Sequence, residues 1–262
     1  MKVHFSLAST FSGIHLIPFL GEAWALWTIK KIKSQLAEGS KLQVVPTRGF
    51  ATKRVQQALQ GLLVSQEEAW NLGERVKTID YLAFTAAARK GSFKFEGTDF
   101  LISEPLLRAE ELGSLLEIGP EILGGRVVGN SGAIRTFLWE KVVPSKVGLV
   151  FDVYHLFFDR CADGLPILQE EDQELFQALI AKTKLIHLQE RDSEQVERWL
   201  KGEDFRGYEA LKKVLEAGCK ADVIVELPAS LVTIKAAINP WLALKVGIKA
   251  YTKTKNTFLS ER

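Results

Sequence analysis

The chain has 262 residues, 47% of them hydrophobic and 25% charged, the proportions of a globular protein and not of a disordered, collagen-like or low-complexity one. A chain of this length buries roughly three quarters of the surface its unfolded form exposes, enough for one large core and about one or two domains. Its 34 Lys and Arg against 32 Asp and Glu leave a formal charge of +2, too little to mark nucleic acid as the partner.

Cys161 and Cys219 are the only cysteines. Two thiols make neither a disulfide framework nor an all-thiolate zinc site, so both are expected to be inert and the setting to be reducing and cytoplasmic. Residues 1–7 hold a broken apolar run and are not expected to act as a secretory signal. No stretch reaches about 18 uninterrupted apolar residues, so neither a membrane span nor a membrane partner is expected.

In chain order, short apolar runs alternate with longer stretches of helical spacing. The runs lie at 3–7, 42–45, 62–65, 100–103, 126–130, 147–152, 185–188 and 223–227. Several are apolar at consecutive positions, as in strands covered on both faces of a parallel sheet. Helices are predicted over 22–38, where Gly39 supplies the stop, and over 67–88, 106–116, 170–182 and 208–217, the last ended by Gly218. Glu170, Glu171 and Asp172 suit the N-terminal end of theirs. A weaker helix over 230–245 contains Pro240, which is expected to break or kink it. Residues 90–97 read as an irregular loop. Lys245, Lys249, Lys253 and Lys255 read as a basic tail, which gives one domain over 1–245 and a tail over 246–262. The six tryptophans sit mostly at helix-like positions and are expected in packing; Trp70 is the one placed to line a pocket.

Eight strand candidates at intervals of about thirty residues match the repeat and total length of a (β/α)8 TIM barrel. A doubly wound open sheet competes, but no glycine fingerprint follows the first strand and no P-loop is present. The barrel is therefore the expected fold. Barrel enzymes carry their chemistry at the C-terminal ends of the strands. Arg48, Gln66, Glu67, Glu104, Asn130, Asp152, His155, His187, Glu190 and Glu226 occupy those positions here. Carboxylates with one or two imidazoles form a donor set for Mn, Mg or Zn.

FDVYHL at 151–156, IHLQERD at 186–192 and GEDFRGYEALKKVLEAGCKADVIVELP at 202–228 resemble the last three βα units of the xylose isomerase-like TIM barrels. That superfamily includes sugar isomerases, ketose 3-epimerases and endonuclease IV-type apurinic-site nucleases. The similarity is clearest over 126–228, and KLQVVPTRG at 41–49 resembles the second strand. The resemblance implies a divalent metal held by Asp152, His187, Glu226 and the residue after strand five, here Asn130. It implies His155 beside substrate, Glu226 as both ligand and proton shuttle, and Arg191 on a substrate oxygen; Glu104 and Trp70 are further substrate-side candidates. Asn130 departs from the Glu of the epimerases. An amide oxygen can ligate a metal but cannot act as a general base.

Each residue also has a plainer reading. Asp152 suits a helix cap, His155 and His187 suit hydrogen-bonded core positions, and Arg191 suits an exposed loop. Glu226 needs a cation or donors wherever it is buried. The leading expectation is a metal-dependent isomerase or epimerase acting on a small sugar-like substrate, with a homo-oligomer possible. A barrel that has lost catalysis and serves as a binding or scaffold protein is the alternative. Nuclease chemistry fits less well, because four histidines are few for a multi-zinc cluster.

Overall fold

A computed structural model of the chain describes residues 1–7, 20–43, 53–62, 115–117, 121–123, 126–128, 130–227 and 239–259. The first elements are β1 (Val3–Ser6), α1 (Leu20–Lys33), β2 (Leu42–Gln43), α2 (Lys53–Leu59), β3 (Leu116–Glu117), β4 (Glu121–Leu123) and β5 (Arg126–Val128). Then come α3 (Ser131–Phe137) with a π-helical turn behind it (Leu138–Val142), β6 (Leu149–Asp152), α4 (Val153–Phe157), α5 (Gln173–Lys182) and β7 (Thr183–Leu188). The last are α6 (Ser193–Lys201), α7 (Arg206–Glu216), β8 (Asp222–Val225) and α8 (Pro240–Leu259). The fold is mixed α/β with parallel strand pairing. No helix among the described residues is long and apolar enough to cross a membrane. The chain forms two compact units: Met1–Gly73 with Leu188–Glu209 and Asp222–Arg262, and Glu74–His187 with Ala210–Ala221.

In the first unit β1 lies between β2 and β8, parallel to both, with Phe5 opposite Leu42 and His4 opposite Ile224. Val223, Ile224 and Val225 of β8 are buried, as expected of consecutive apolar positions in a strand covered on both faces, and every residue of β1 is buried too, the polar His4 and Ser6 included. The four lysines expected in a tail are all residues of α8. Pro240 is the first residue of that helix, where a missing N–H costs nothing, and the N–H of Leu242 donates to Asn239 Oδ1 at 3.2 Å. Tyr251 and Thr254 of α8 are buried. The Tyr251 ring meets Phe5 edge-on at 5.8 Å, and Thr254 Oγ1 accepts from Trp199 Nε1 at 3.0 Å. Asp192 caps α6 by accepting from the N–H groups of Glu194 and Gln195, and Gly202, at φ 81°, ends it in the left-handed conformation. Trp199, Phe205 and Tyr208 then pack ring on ring.

In the second unit β6 pairs in parallel with β3 and β7. Two sequence expectations change here. Of the helix expected over 106–116, residues 106–114 lie outside the described residues, and Leu116 belongs to β3, paired with Leu149. The run at 126–130 yields β5 (Arg126–Val128), which pairs antiparallel with β4 in a separate two-stranded sheet. Two short strands separated by Gly124-Gly125 have the two-residue spacing of a tight hairpin, and that local pairing prevails. Phe151, Phe157 and Phe176 form the aromatic packing beneath β6. The run at 100–103, residues 63–65, the helix over 67–88 and the loop at 90–97 lie outside the described residues.

Candidate polar site at the ends of β6 and β7

Parallel pairing brings residue opposite residue, so register decides which side chains meet. Leu149 of β6 faces Thr183 of β7, but Val150 faces Leu185, because the ladder carries a one-residue irregularity between Leu149 and Val150. Without that extra residue on β7, Asp152 would face Ile186. With it, Asp152 faces His187. Such bulges commonly re-aim a side chain beside a functional site.

Asp152 is fully buried and His187 is 3% exposed. Removing a carboxylate from water is costly, and the surroundings of Asp152 offset it in two directions. Oδ1 accepts from the backbone N–H of His155 at 2.9 Å, capping α4. Oδ2 lies 3.8 Å from His187 Nδ1. One turn of helix carries His155 back over this end of the strand, and its Nδ1 sits 2.9 Å from Asp159 Oδ2. The chain of groups Asp159, His155, Asp152 and His187 is thus assembled from one strand end, one helical turn and one neighbouring strand. Burial, followed by the charges of Asp163 and Asp159, pushes the nearby Cys161 thiol up to about 11, so it is protonated and unreactive at neutral pH.

The first unit holds a second buried carboxylate. Glu190 is fully buried and forks onto Arg206, whose Nε donates to Oε2 at 2.8 Å and whose second nitrogen donates to Oε1 at 2.7 Å. The N–H groups of Arg191 and Asp192 also donate to Oε1, at 2.8 and 2.9 Å. A carboxylate so fully supplied with donors is an anchor for the segment after β7. At the opposite, N-terminal end of β1, His4 Nδ1 accepts from the N–H of Lys41 at 2.9 Å, so Nε2 carries the proton and donates to Asp222 at 3.2 Å. Burial chiefly lowers the pKa of His4; the Asp222 hydrogen bond and charge oppose this, and Lys2 and Lys41 add to it.

The residues anticipated from sequence are therefore dispersed in their surroundings. Asp152, His155 and His187 come together in the second unit. Asn130 belongs to that unit too but is exposed, preceding α3 without a side-chain capping bond. Glu226 and Arg191 belong to the first unit. The N–H of Glu226 donates to Leu188 O at 2.9 Å, while its side chain is half-buried. Arg191 Nε donates to Gln189 Oε1 at 3.4 Å. Arg48, Gln66, Glu67, Trp70 and Glu104 lie outside the described residues. Among the described residues no group of three or more His, Cys, Asp and Glu side chains gathers as a metal-binding cluster. Sequence reasoning passed over Asp159 and Arg206. The first was signalled by its four-residue spacing from His155, the second by the lone arginine of GEDFRG.

No protein-family model matches this sequence, and no curated protein is significantly similar to it.

Proposed function

We propose that the chain is a xylose isomerase-like (β/α)8 barrel that isomerises or epimerises a small sugar-like substrate by moving a proton next to a carbonyl, with a divalent metal as cofactor. The observation that carries the reading is the buried Asp152–His187 pair, opposed in register at the C-terminal ends of two parallel strands. The barrel part is supported by β1, which has the second strand on one side and the last strand on the other, the order a closed ring requires.

A carboxylate oxygen and an imidazole nitrogen are a hard and a borderline donor, both acceptable to Mn, Mg or Zn. Ligand atoms sharing one such ion, at about 2.1 Å each, stand roughly 3.0–3.5 Å apart. The 3.8 Å separation of Asp152 and His187 is close to that span, so the pair fits the group. Asp152 and His187 would hold the metal, which would supply Lewis-acid polarisation of the substrate carbonyl. The N–H of His155 fixes the Asp152 carboxylate, and Asp159 meets the His155 ring at Nδ1; this imidazole is the group that the resemblance sets beside substrate. In this reading Glu226 moves the proton, Arg191 orients an oxygen, and Glu226 and Asn130 are the further ligands that the resemblance implies.

The second reading, a barrel retained for binding and without catalysis, is favoured by Asn130, which is exposed and lacks a base's chemistry. One experiment separates the two. The protein is incubated with Mn²⁺ and a panel of ketoses in D2O, and deuterium at the carbon beside the carbonyl is followed by NMR. Metal-dependent incorporation that is lost in Asp152→Asn and Glu226→Gln supports the enzyme. No incorporation with any ketose, together with a melting temperature unmoved by Mn²⁺, leaves the binding protein.

A further inference from the structure

Helices α1 and α8 turn an unusual surface outward. Trp24 and Trp27 of α1 stack at 4.7 Å, and Trp241 at the start of α8 meets them edge-on at 5.0 and 4.2 Å. Trp24 is nearly buried, but Trp241 is 59% exposed and Leu20, one helical turn before Trp24, is 54% exposed. Further along, the N–H of Ala37 donates to the Tyr251 hydroxyl at 3.0 Å. The segment after α1 therefore meets the middle of α8, and the two helices run side by side in the same direction.

Their exposed stripes are aromatic first and basic after. Each helix places a lysine one turn beyond its outer tryptophan: Lys31 after Trp27, with Nζ 5.7 Å from the ring centre, and Lys245 after Trp241. Lys30 and Lys249 continue the stripes, and all four lysines are exposed. Over their full lengths the two helices carry seven lysines (30, 31, 33, 245, 249, 253 and 255) against one acid, Glu22. Glu22 lies 3.5 Å from Arg54. In a chain whose charges nearly cancel overall, the exposed Lys30, Lys31, Lys33, Lys245 and Lys249 make a positive face with an indole-rich patch at its N-terminal end.

From this we infer that the α1–α8 face docks on an anionic lipid bilayer. The positive charge selects a negative surface. The exposed tryptophan distinguishes a bilayer from a soluble polyanion, because indole partitions to the headgroup level with its apolar body inward and its N–H wet. The helices lie on the surface and do not enter it as spans. The inference is independent of the catalytic reading.

The test is co-sedimentation of the full chain with vesicles of phosphatidylcholine alone and of phosphatidylcholine mixed with phosphatidylserine, with tryptophan emission recorded in parallel. Expected are binding to the mixed vesicles only, a blue shift of emission, and loss of binding as salt is raised. Lys245→Ala with Lys249→Ala should weaken binding by about thirty-fold, and Trp241→Ala by about ten-fold. The lysine side chains are exposed, so that variant should melt as the parent does; Trp241→Ala also removes the contacts with Trp24 and Trp27, so its melting is recorded beside its binding. No sedimentation with the mixed vesicles at low salt would overturn the inference, as would equal sedimentation of well-folded variants. Retention on heparin without vesicle binding would assign the face to a soluble polyanion instead.

Discussion

Removing the partner of Glu190 is the sharpest stability perturbation the fold offers. In Arg206→Met the aliphatic stem stays and both guanidinium hydrogen bonds, at 2.8 and 2.7 Å, are lost. Stranding one member of a buried pair costs about 3–5 kcal/mol. The lower end applies here for two reasons. Glu190 keeps the N–H donors of Arg191 and Asp192, and the Arg206 side chain is 34% exposed, so water already reaches the cation. The expected loss is therefore about 3 kcal/mol, or about 5–10 °C in melting temperature for a chain of this size. Urea unfolding followed by circular dichroism measures it. Glu190→Gln on the Arg206→Met background should recover much of the loss, since no charge is then stranded, with a coupling of about 2 kcal/mol or more in the double-mutant cycle. An Arg206→Met protein within about 0.5 kcal/mol of the parent would refute the idea that this pair anchors the segment after β7.

Other outcomes follow from particular contacts. Thr254→Val removes the acceptor of Trp199 Nε1 and the hydroxyl 3.2 Å from Tyr208, and should cost about 1–3 kcal/mol in the same unfolding assay. His4 is held neutral in the folded state by burial, below its ordinary 6.5. Its contribution to stability is full above that pH and declines as pH falls through 6.5 toward the folded value, and a His4→Asn protein should lose this part of the acid dependence. Cys161, with its thiol raised to about 11, should resist iodoacetamide at neutral pH in the folded protein and react once denatured. Asp152→Ala should destabilise by about 1 kcal/mol through loss of the α4 cap, whereas Asp152→Asn, which can still cap, should cost less while removing the charge that faces His187.

The sequence made the strands of the first and second units legible wherever apolar residues ran nearly consecutively, as at 147–152 and 223–227, because burial on both faces writes itself directly into composition. It also located Asp152, His155 and His187, whose polarity inside apolar runs is conspicuous. Register was not legible. That Asp152 faces His187 and not Ile186 depends on one extra residue in β7, and no pattern of apolar spacing reports a bulge. The composition of β5 suits either kind of sheet, and the Gly-Gly spacing to β4 is the signal that matches its antiparallel pairing. Residues 230–238 of the weaker predicted helix lie outside the described residues, and Pro240 is the first residue of α8. The lysine spacing after it does not report the burial of Tyr251 and Thr254 on that helix.

The direct measurement of the metal reading is anomalous diffraction from crystals soaked in Mn²⁺. The account places a single peak at coordination distance, about 2.1 Å, from a carboxylate oxygen of Asp152 and a ring nitrogen of His187. A fully soaked crystal with no peak there, or with manganese bound only away from both residues, would contradict it.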